Sequence, residues 1–201
     1  MEHECTIQFD GHTHTIWTIA QWIEALIQGV YYSVTNTTAR LAFDQPTHWT
    51  YCVSPSSNAP YNPLVPRSME GITIQPTMII DWVRLFRQSQ PLYRQTGATA
   101  CAGVVLSDQS VFALECVTPQ SVLAKLWGAL IRKQVDYYPV LLVSFGIQTD
   151  VLPHILRGAP SIIIGQSSVT NTAIARLIEL QCTVFGFCRK QTFNRYSNFH
   201  L

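Results

Sequence analysis

Charge is scarce in this chain. Of its 201 residues only 12% are Asp, Glu, Lys or Arg, and the formal net charge is +1; an ordinary soluble domain has about 25% charged residues. That near-neutral balance, with Lys and Arg scattered, excludes the basic stripe by which proteins hold nucleic acid. Because 47% of the residues are hydrophobic and monomers rarely leave large apolar patches in water, a cover is expected, either a second copy in a homodimer or another subunit of a complex. A long apolar run is also missing. The most apolar early stretch, residues 16–32, is interrupted by Gln21, Glu24 and Gln28, whereas a membrane-spanning helix needs roughly 20 mostly apolar residues. The start, Met1-Glu2-His3-Glu4-Cys5, lacks the positive region of a secretory signal, so a cytoplasmic protein is expected. Absent too is any Cys-x-x-Cys pair. Cys5, Cys52, Cys101, Cys116, Cys182 and Cys188 are dispersed, the pattern of reduced thiols buried as small hydrophobes.

What is present is a succession of strand and helix patterns without internal repeats. Ile7–Phe9 and Thr13–Trp17 flank Asp10-Gly11, a dipeptide suited to a hairpin turn in which both central residues need positive φ. Apolar residues Ile19, Trp22, Ile23, Leu26, Ile27 and Val30 then recur at helical spacing, and residues 41–43 and 49–53 read as strands. Residues 54–66 hold four prolines among Ser and Asn and read as an exposed loop. They divide a smaller strand-rich N-terminal subdomain, 1–66, from an α/β subdomain, 67–201, within one compact unit. Pro76 opens a helix with Met78, Ile79, Trp82, Val83, Leu85 and Phe86 on a wide apolar face. Residues 101–106 and 111–117 form a hairpin about Ser107-Asp108-Gln109, and Thr118-Pro119 starts the next helix with a capping hydroxyl and a proline at the first helical position. Strands at 140–144, 161–164 and 183–187 then alternate with helices at 150–157, the first capped by Thr149 and ended by Gly158, and 172–181. Such alternation implies an α/β (α+β) fold, a mixed sheet flanked by helices.

The end of the chain is its most specific part. Ser167-Ser-Val-Thr-Asn-Thr-Ala173 places hydroxyls and backbone N–H groups at a helix start, and Gly186-Phe-Cys-Arg189 and Asn194-Arg-Tyr196 follow. A helix start of this composition suits a phosphate; equally, Thr170 or Asn171 only caps the helix. This closing arrangement resembles that of the formate dehydrogenase accessory sulfurtransferases, the FdhD family. The resemblance extends over about 7–196 and is stronger after Thr96. It implies a cytidine deaminase-like fold and a protein acting with a molybdenum- or tungsten-dependent formate dehydrogenase. The implied ligand is the guanine-nucleotide part of the molybdenum bis-guanine dinucleotide cofactor, with GDP as its fragment, held by Ser167, Ser168, Thr170, Asn171, Phe187 and Arg189.

The same resemblance shows what has been lost upstream. The family's Thr-Gly-x-x-His-Ala motif is matched by Thr96-Gly97 with Ala100 in the histidine's place, so Thr96 and Gly97 join the implied cofactor-binding set. Glu115 and the helix Leu123-Ala-Lys-Leu-Trp-Gly128 match a second motif, while Thr118-Pro-Gln-Ser121 replaces the family's Gly-Arg-His-Asn. The family transfers sulfur from a cysteine desulfurase through a C-x-x-C loop. Here that region offers only Cys52, with no nearby Lys, Arg or helix start to lower its pKa. Cys52 is therefore the one candidate sulfur carrier, set against burial as a structural thiol. The alternative to a working accessory protein is a non-catalytic binding or scaffold subunit of an oxidoreductase complex. His12-Thr-His14 has the spacing of a metal-ligand pair, yet no further His/Asp set completes it. The H-x-E and P-C-x-x-C motifs of a zinc deaminase are absent, so no metal site is expected.

Overall fold

The computed structural model describes the backbone of residues 2–9, 12–19, 39–42 and 50–55, and the backbone and side chains of residues 25, 67–70 and 73–197. Two sheets organise these residues. The first has four strands, β1 (Glu2–Phe9), β2 (His12–Ile19), β3 (Ala39–Ala42) and β4 (Thr50–Pro55), in the order β2-β1-β4-β3. The expected opening hairpin is present, with Phe9 paired to His12; the Asp10-Gly11 turn lies outside the described residues. So does most of the helix expected over 19–31. Ala25 is helical and buried, while Ile19 ends β2. β4 reaches Pro55, two residues into the expected loop, and Pro55 pairs with Ala39 at the strand end, where proline is tolerated.

The second sheet has six strands: β5 (Ala100–Leu106), β6 (Val111–Cys116), β7 (Tyr137–Val143), β8 (Ile162–Gly165), β9 (Thr183–Arg189) and β10 (Thr192–Arg195). Their order is β10-β9-β8-β7-β5-β6; β7, β8 and β9 run parallel and the other pairings are antiparallel. Five helices accompany them among the described residues: α1 (Pro76–Gln88), α2 (Pro91–Thr96), α3 (Pro119–Lys133), α4 (Leu152–Leu156) and α5 (Asn171–Glu179).

Alternation along the strands sorts the core into two layers. Ala102, Val104, Leu141, Val143, Ile163 and Val184 pack with buried residues of α3, α4 and α5. Their sequence neighbours Cys101, Val105, Val140, Leu142, Ile162 and Ile164 pack with Ile79, Trp82, Val83 and Phe86 of α1. Helices thus cover both faces, which is why β7 and β8 read as continuous apolar runs. Each fully buried Leu, Ile or Phe contributes on the order of 1.5–3 kcal/mol, so these layers dominate the fold's stability. The helix predicted from Thr118-Pro119 forms as expected. Thr118 caps it by accepting from the Ser121 N–H at 3.1 Å, and residues 121–131 are all buried.

Several local expectations change in the structure. The helix predicted over 150–157 is only α4, and Val151, not Thr149, occupies its N-cap without a side-chain bond. The Thr149 hydroxyl instead bonds that of Thr172 at 2.9 Å. Strand β7 begins at Tyr137, three residues earlier than its apolar run, and includes Pro139. A bulge absorbs the missing proline donor, since β5 advances two residues from Val104 to Leu106 while β7 spans Leu141 to Tyr137. α2 and β10 had no apolar periodicity to announce them. Both are short and solvated, and no α2 residue is buried.

Candidate functional site

The carboxyl ends of β7, β8 and β9 carry three polar residues: Ser144 and Gln166, each just past its strand, and Arg189, the last residue of β9. The ends of parallel strands are where open α/β sheets leave a crevice for ligands. The chain closes this one from above with the end of α1 and with α2. The resulting cleft has a volume of about 490 Å³ and is lined by Arg87, Gln90, Tyr93, Arg94, Ser144, Gln166, Ser167, Cys188 and Arg189. Three guanidiniums and no carboxylate line it, which gives the lining a net positive charge.

A bulge in β9 builds one wall. Phe187 has φ 53, a left-handed conformation that is rare for a bulky residue. In the pairing with β10, Thr192 faces Arg189 and Asn194 faces Gly186, so β9 holds one residue more than its partner. The extra residue shifts the alternation, and Cys188 instead of Phe187 joins Phe185 in the α1-side core. Phe187 is left 41% exposed. Two bonds tie this bulge to the segment after β8: the Phe187 N–H donates to Ser167 O at 2.9 Å, and Arg189 Nε donates to Gln166 O at 3.1 Å. The arginine is thereby held with its Nε committed to the protein backbone.

The opposite wall depends on Glu115, at the end of β6. Its buried carboxylate accepts from Leu92 N at 2.9 Å, Tyr93 N at 2.7 Å and Thr99 Oγ1 at 2.8 Å. These bonds satisfy two N–H groups in the first turn of α2 and hold Tyr93 and Arg94 at the cleft. Lys125 Nζ, also buried, donates to the Glu115 backbone oxygen at 3.0 Å. Desolvation lowers the Lys125 pKa, while the nearby Cys116 and Glu115 pull it up. Between the two walls, Gln90 Nε2 donates to Gln166 Oε1 at 3.3 Å. Gln166 Nε2 is buried without a hydrogen-bond partner, a donor that an oxygen of a ligand would satisfy.

Of the residues singled out from sequence, Ser167 and Arg189 lie in the cleft lining together. Thr170 is the N-cap of α5, accepting from the Ala173 N–H at 3.4 Å. Its own N–H is taken by Ile147 O. Thr170, the exposed Ser168 and Asn171, and Phe187 are not among the lining residues. Neither are Thr96 and Gly97, which terminate α2. Thr96 Oγ1 donates to Leu92 O, and Gly97, with φ 66, donates its N–H to Tyr93 O. Ala100, in the position of the family histidine, begins β5 and is buried. Cys52 pairs across β4 with Gln8 and Ala42, and its side chain lies outside the described residues. The described thiols Cys101, Cys116, Cys182 and Cys188 are all buried. Burial raises the pKa of Cys101, Cys182 and Cys188, that of Cys188 to about 12. No group of three or more metal-ligating side chains occurs among the described residues, and no described helix is long and apolar enough to cross a membrane.

Sequence reasoning missed Arg87, Gln90, Tyr93, Arg94, Ser144, Gln166 and Cys188. Ser144 and Gln166 did have a signal, since each is the first polar residue after a buried parallel strand. The α1–α2 residues had none, because only the tertiary fold brings them to the strand ends.

Comparison with known proteins agrees with this architecture. A sequence model of the FdhD/NarQ family matches residues 6–200. The sulfur carrier protein FdhD of Bacillus licheniformis is 28% identical over 132 residues, covering 65% of this chain and 50% of that protein. The FdhD of Geobacillus kaustophilus is 28% identical over 129 residues, covering 64% and 49%. The chain thus spans about half the length of the curated relatives it matches. Among solved structures, a formate dehydrogenase accessory protein from Desulfotalea psychrophila superposes with a TM-score of 0.78 at 14% identity, covering 98% of this chain and 88% of that one.

Proposed function

The chain belongs to the FdhD/NarQ family, and we propose that it serves a molybdenum- or tungsten-dependent formate dehydrogenase by binding the guanine-nucleotide part of the molybdopterin cofactor. The observation behind this reading is the cleft itself, whose lining includes Arg87, Arg94 and Arg189 together with Gln166, whose Nε2 is unpartnered. Guanidiniums match phosphate oxygens bidentately. The Tyr93 ring offers a face for a base, and Gln166 Nε2 a donor for a carbonyl or phosphate oxygen. A cleft of about 490 Å³ falls in the range of nucleotide-sized sites. When bound, the cofactor supplies the redox chemistry of its metal; the residues here fix its nucleotide end and order its phosphates.

Delivery of sulfur requires an accessible thiolate. Cys101, Cys182 and Cys188 are buried with raised pKa values, which favours cofactor binding without sulfur transfer, a holding or scaffold role. A chain that does accept sulfur from a cysteine desulfurase would hold it on Cys52. The expected partners are the oxidoreductase and a second copy of this chain.

The test is titration with GDP. Arg94→Gln and Arg189→Ala should each weaken binding about 10- to 100-fold, the loss of a charged hydrogen bond worth roughly 1.5–3 kcal/mol, and affinity should fall with salt. Absence of GDP binding at millimolar concentration would refute the reading. In parallel, persulfide uptake from a desulfurase that Cys52→Ala abolishes would establish sulfur transfer; no uptake leaves the holding role.

A further inference from the structure

A second groove, of about 530 Å³, lies beside α1. Ile80, Val83, Arg84 and Arg87 line it from α1, Arg94 from α2, and Lys190 from the turn after β9. Positions 80, 84 and 87 recur at helical spacing, so these residues follow one stripe of the helix. Ile80 and the buried Val83 give that stripe apolar surface. The four cations are exposed, and no carboxylate joins them in the lining. Arg84 meets Asp81 at 3.1 Å in an exposed pair, a contact worth little in water and readily exchanged for a better one. Four of the chain's thirteen Lys and Arg residues thus surround one groove, a concentration that the near-neutral composition conceals.

This chemistry selects a class of occupant. A nucleic acid needs a longer basic stripe, and a free anion would use the guanidiniums but leave Ile80 in water. Both features are satisfied by a polypeptide with carboxylates on either side of an aliphatic side chain. Guanidiniums donate bidentately to carboxylates, and Arg clusters are a recurrent means of reading acidic motifs. Length agrees as well. Ile80 to Arg87 spans about 10 Å of helix axis, the reach of about three extended residues. We infer that this groove docks an extended acidic segment of a partner protein, in competition with the nucleotide. The aliphatic side chain rests on Ile80 and Val83, and the carboxylates lie at Arg84, Lys190 and the pair Arg87 and Arg94. The competition rests on the nucleotide reading of the first cleft. Arg87 and Arg94 line that cleft too, so docking of the partner loosens the nucleotide, and the nucleotide weakens docking by the same factor.

The probe is the end-capped, rhodamine-labelled peptide Glu-Asp-Leu-Asp-Glu, titrated with the full chain and followed by fluorescence anisotropy. It should bind at least about fivefold more tightly than the same peptide with serine in place of leucine, and at least about tenfold more weakly when salt is raised to about 0.5 M. The double variant Arg84→Gln/Lys190→Gln should weaken peptide binding at least about tenfold. Its GDP affinity should stay within about threefold of wild type, because neither residue lines the first cleft. Both residues are exposed, and circular dichroism checks that the variant folds. In the wild type, saturating GDP should weaken peptide binding at least about fivefold. Peptide affinity indifferent to the leucine or to the double variant overturns the docking groove. So does an unbound peptide alongside self-association, or adhesion to phosphatidylserine vesicles, that the double variant abolishes, since a second copy or a lipid surface is then the occupant. Peptide binding that bound GDP leaves unchanged overturns the competition. If GDP itself fails to bind, the nucleotide reading falls while variant-sensitive peptide binding upholds the groove.

Discussion

Replacing Glu115 with alanine tests how the cleft is held together. The carboxylate accepts from Leu92 N, Tyr93 N and Thr99 Oγ1 at 2.7–2.9 Å and is only 8% exposed. Hydrogen bonds to a charged group contribute about 1.5–3 kcal/mol each. Three on one carboxylate are not additive, and the freed N–H groups of α2 lie near enough to the surface to recruit water. A net loss of about 3–5 kcal/mol is therefore expected for Glu115→Ala, and about half that for Glu115→Gln, which keeps a carbonyl acceptor. For a chain of this size each kcal/mol corresponds to roughly 2–4 °C in Tm, so the alanine variant should melt about 6–20 °C lower. Because α2 presents Tyr93 and Arg94 to the cleft, GDP affinity should also fall about tenfold at temperatures where the variant is fully folded. Urea denaturation and GDP titration at 15 °C measure both. A stability loss under about 1 kcal/mol, or unchanged GDP affinity in the folded variant, would refute the argument that Glu115 anchors this wall.

Other substitutions and pH changes have equally definite outcomes. Gly158→Ala would place a Cβ within 2.6 Å of Trp127 Cζ2 and Cζ3, and since the Trp127 ring is fixed by its 2.7 Å bond to His154 O, thermal melting should show about 1–3 kcal/mol of destabilisation. Phe187→Gly relieves the left-handed strain of the bulge, so despite deleting a large side chain it should change stability by less than about 1 kcal/mol; a larger loss would mean that the ring is a packing element. Cys188, whose pKa is raised to about 12 by burial, is a neutral thiol in the fold but ionises above about pH 9 once unfolded. Its contribution is complete below that pH and is lost as pH rises towards 12, so stability should fall over this window less steeply in Cys188→Ala, and native Cys188 should resist iodoacetamide at pH 8. His154 has the opposite sign. Its pKa is lowered by desolvation and by Arg157, against Asp150, so its contribution is complete above about pH 6.5 and declines as pH falls, which His154→Gln should attenuate.

Much of this protein was legible in one dimension because burial imposes a period. The apolar runs of β7 and β8 and the wide face of α1 announced a mixed sheet covered on both sides, and Thr118-Pro119 marked the start of α3 by the chemistry of its cap. The closing motifs also identified the family, and Gly186, Phe187 and Arg189 stand at the bulge in β9. Gly186 has no room for a side chain, since a Cβ there would meet Tyr196 and Val169 at 2.8 Å.

Where periodicity is weak, the chain concealed its structure. α2 and β10 bury too little to leave an apolar pattern, and β7 begins earlier than its apolar run because a bulge accommodates Pro139. The sequence alone determined the layers, the family and two residues of the cleft lining, Ser167 and Arg189. Only the tertiary structure decided that Arg87 and Arg94, from α1 and α2, meet Arg189 at the ends of parallel strands. Secondary structure follows from neighbours within a few residues, whereas an anion site is made by residues about a hundred positions apart, whose proximity is set by how helices pack on a sheet.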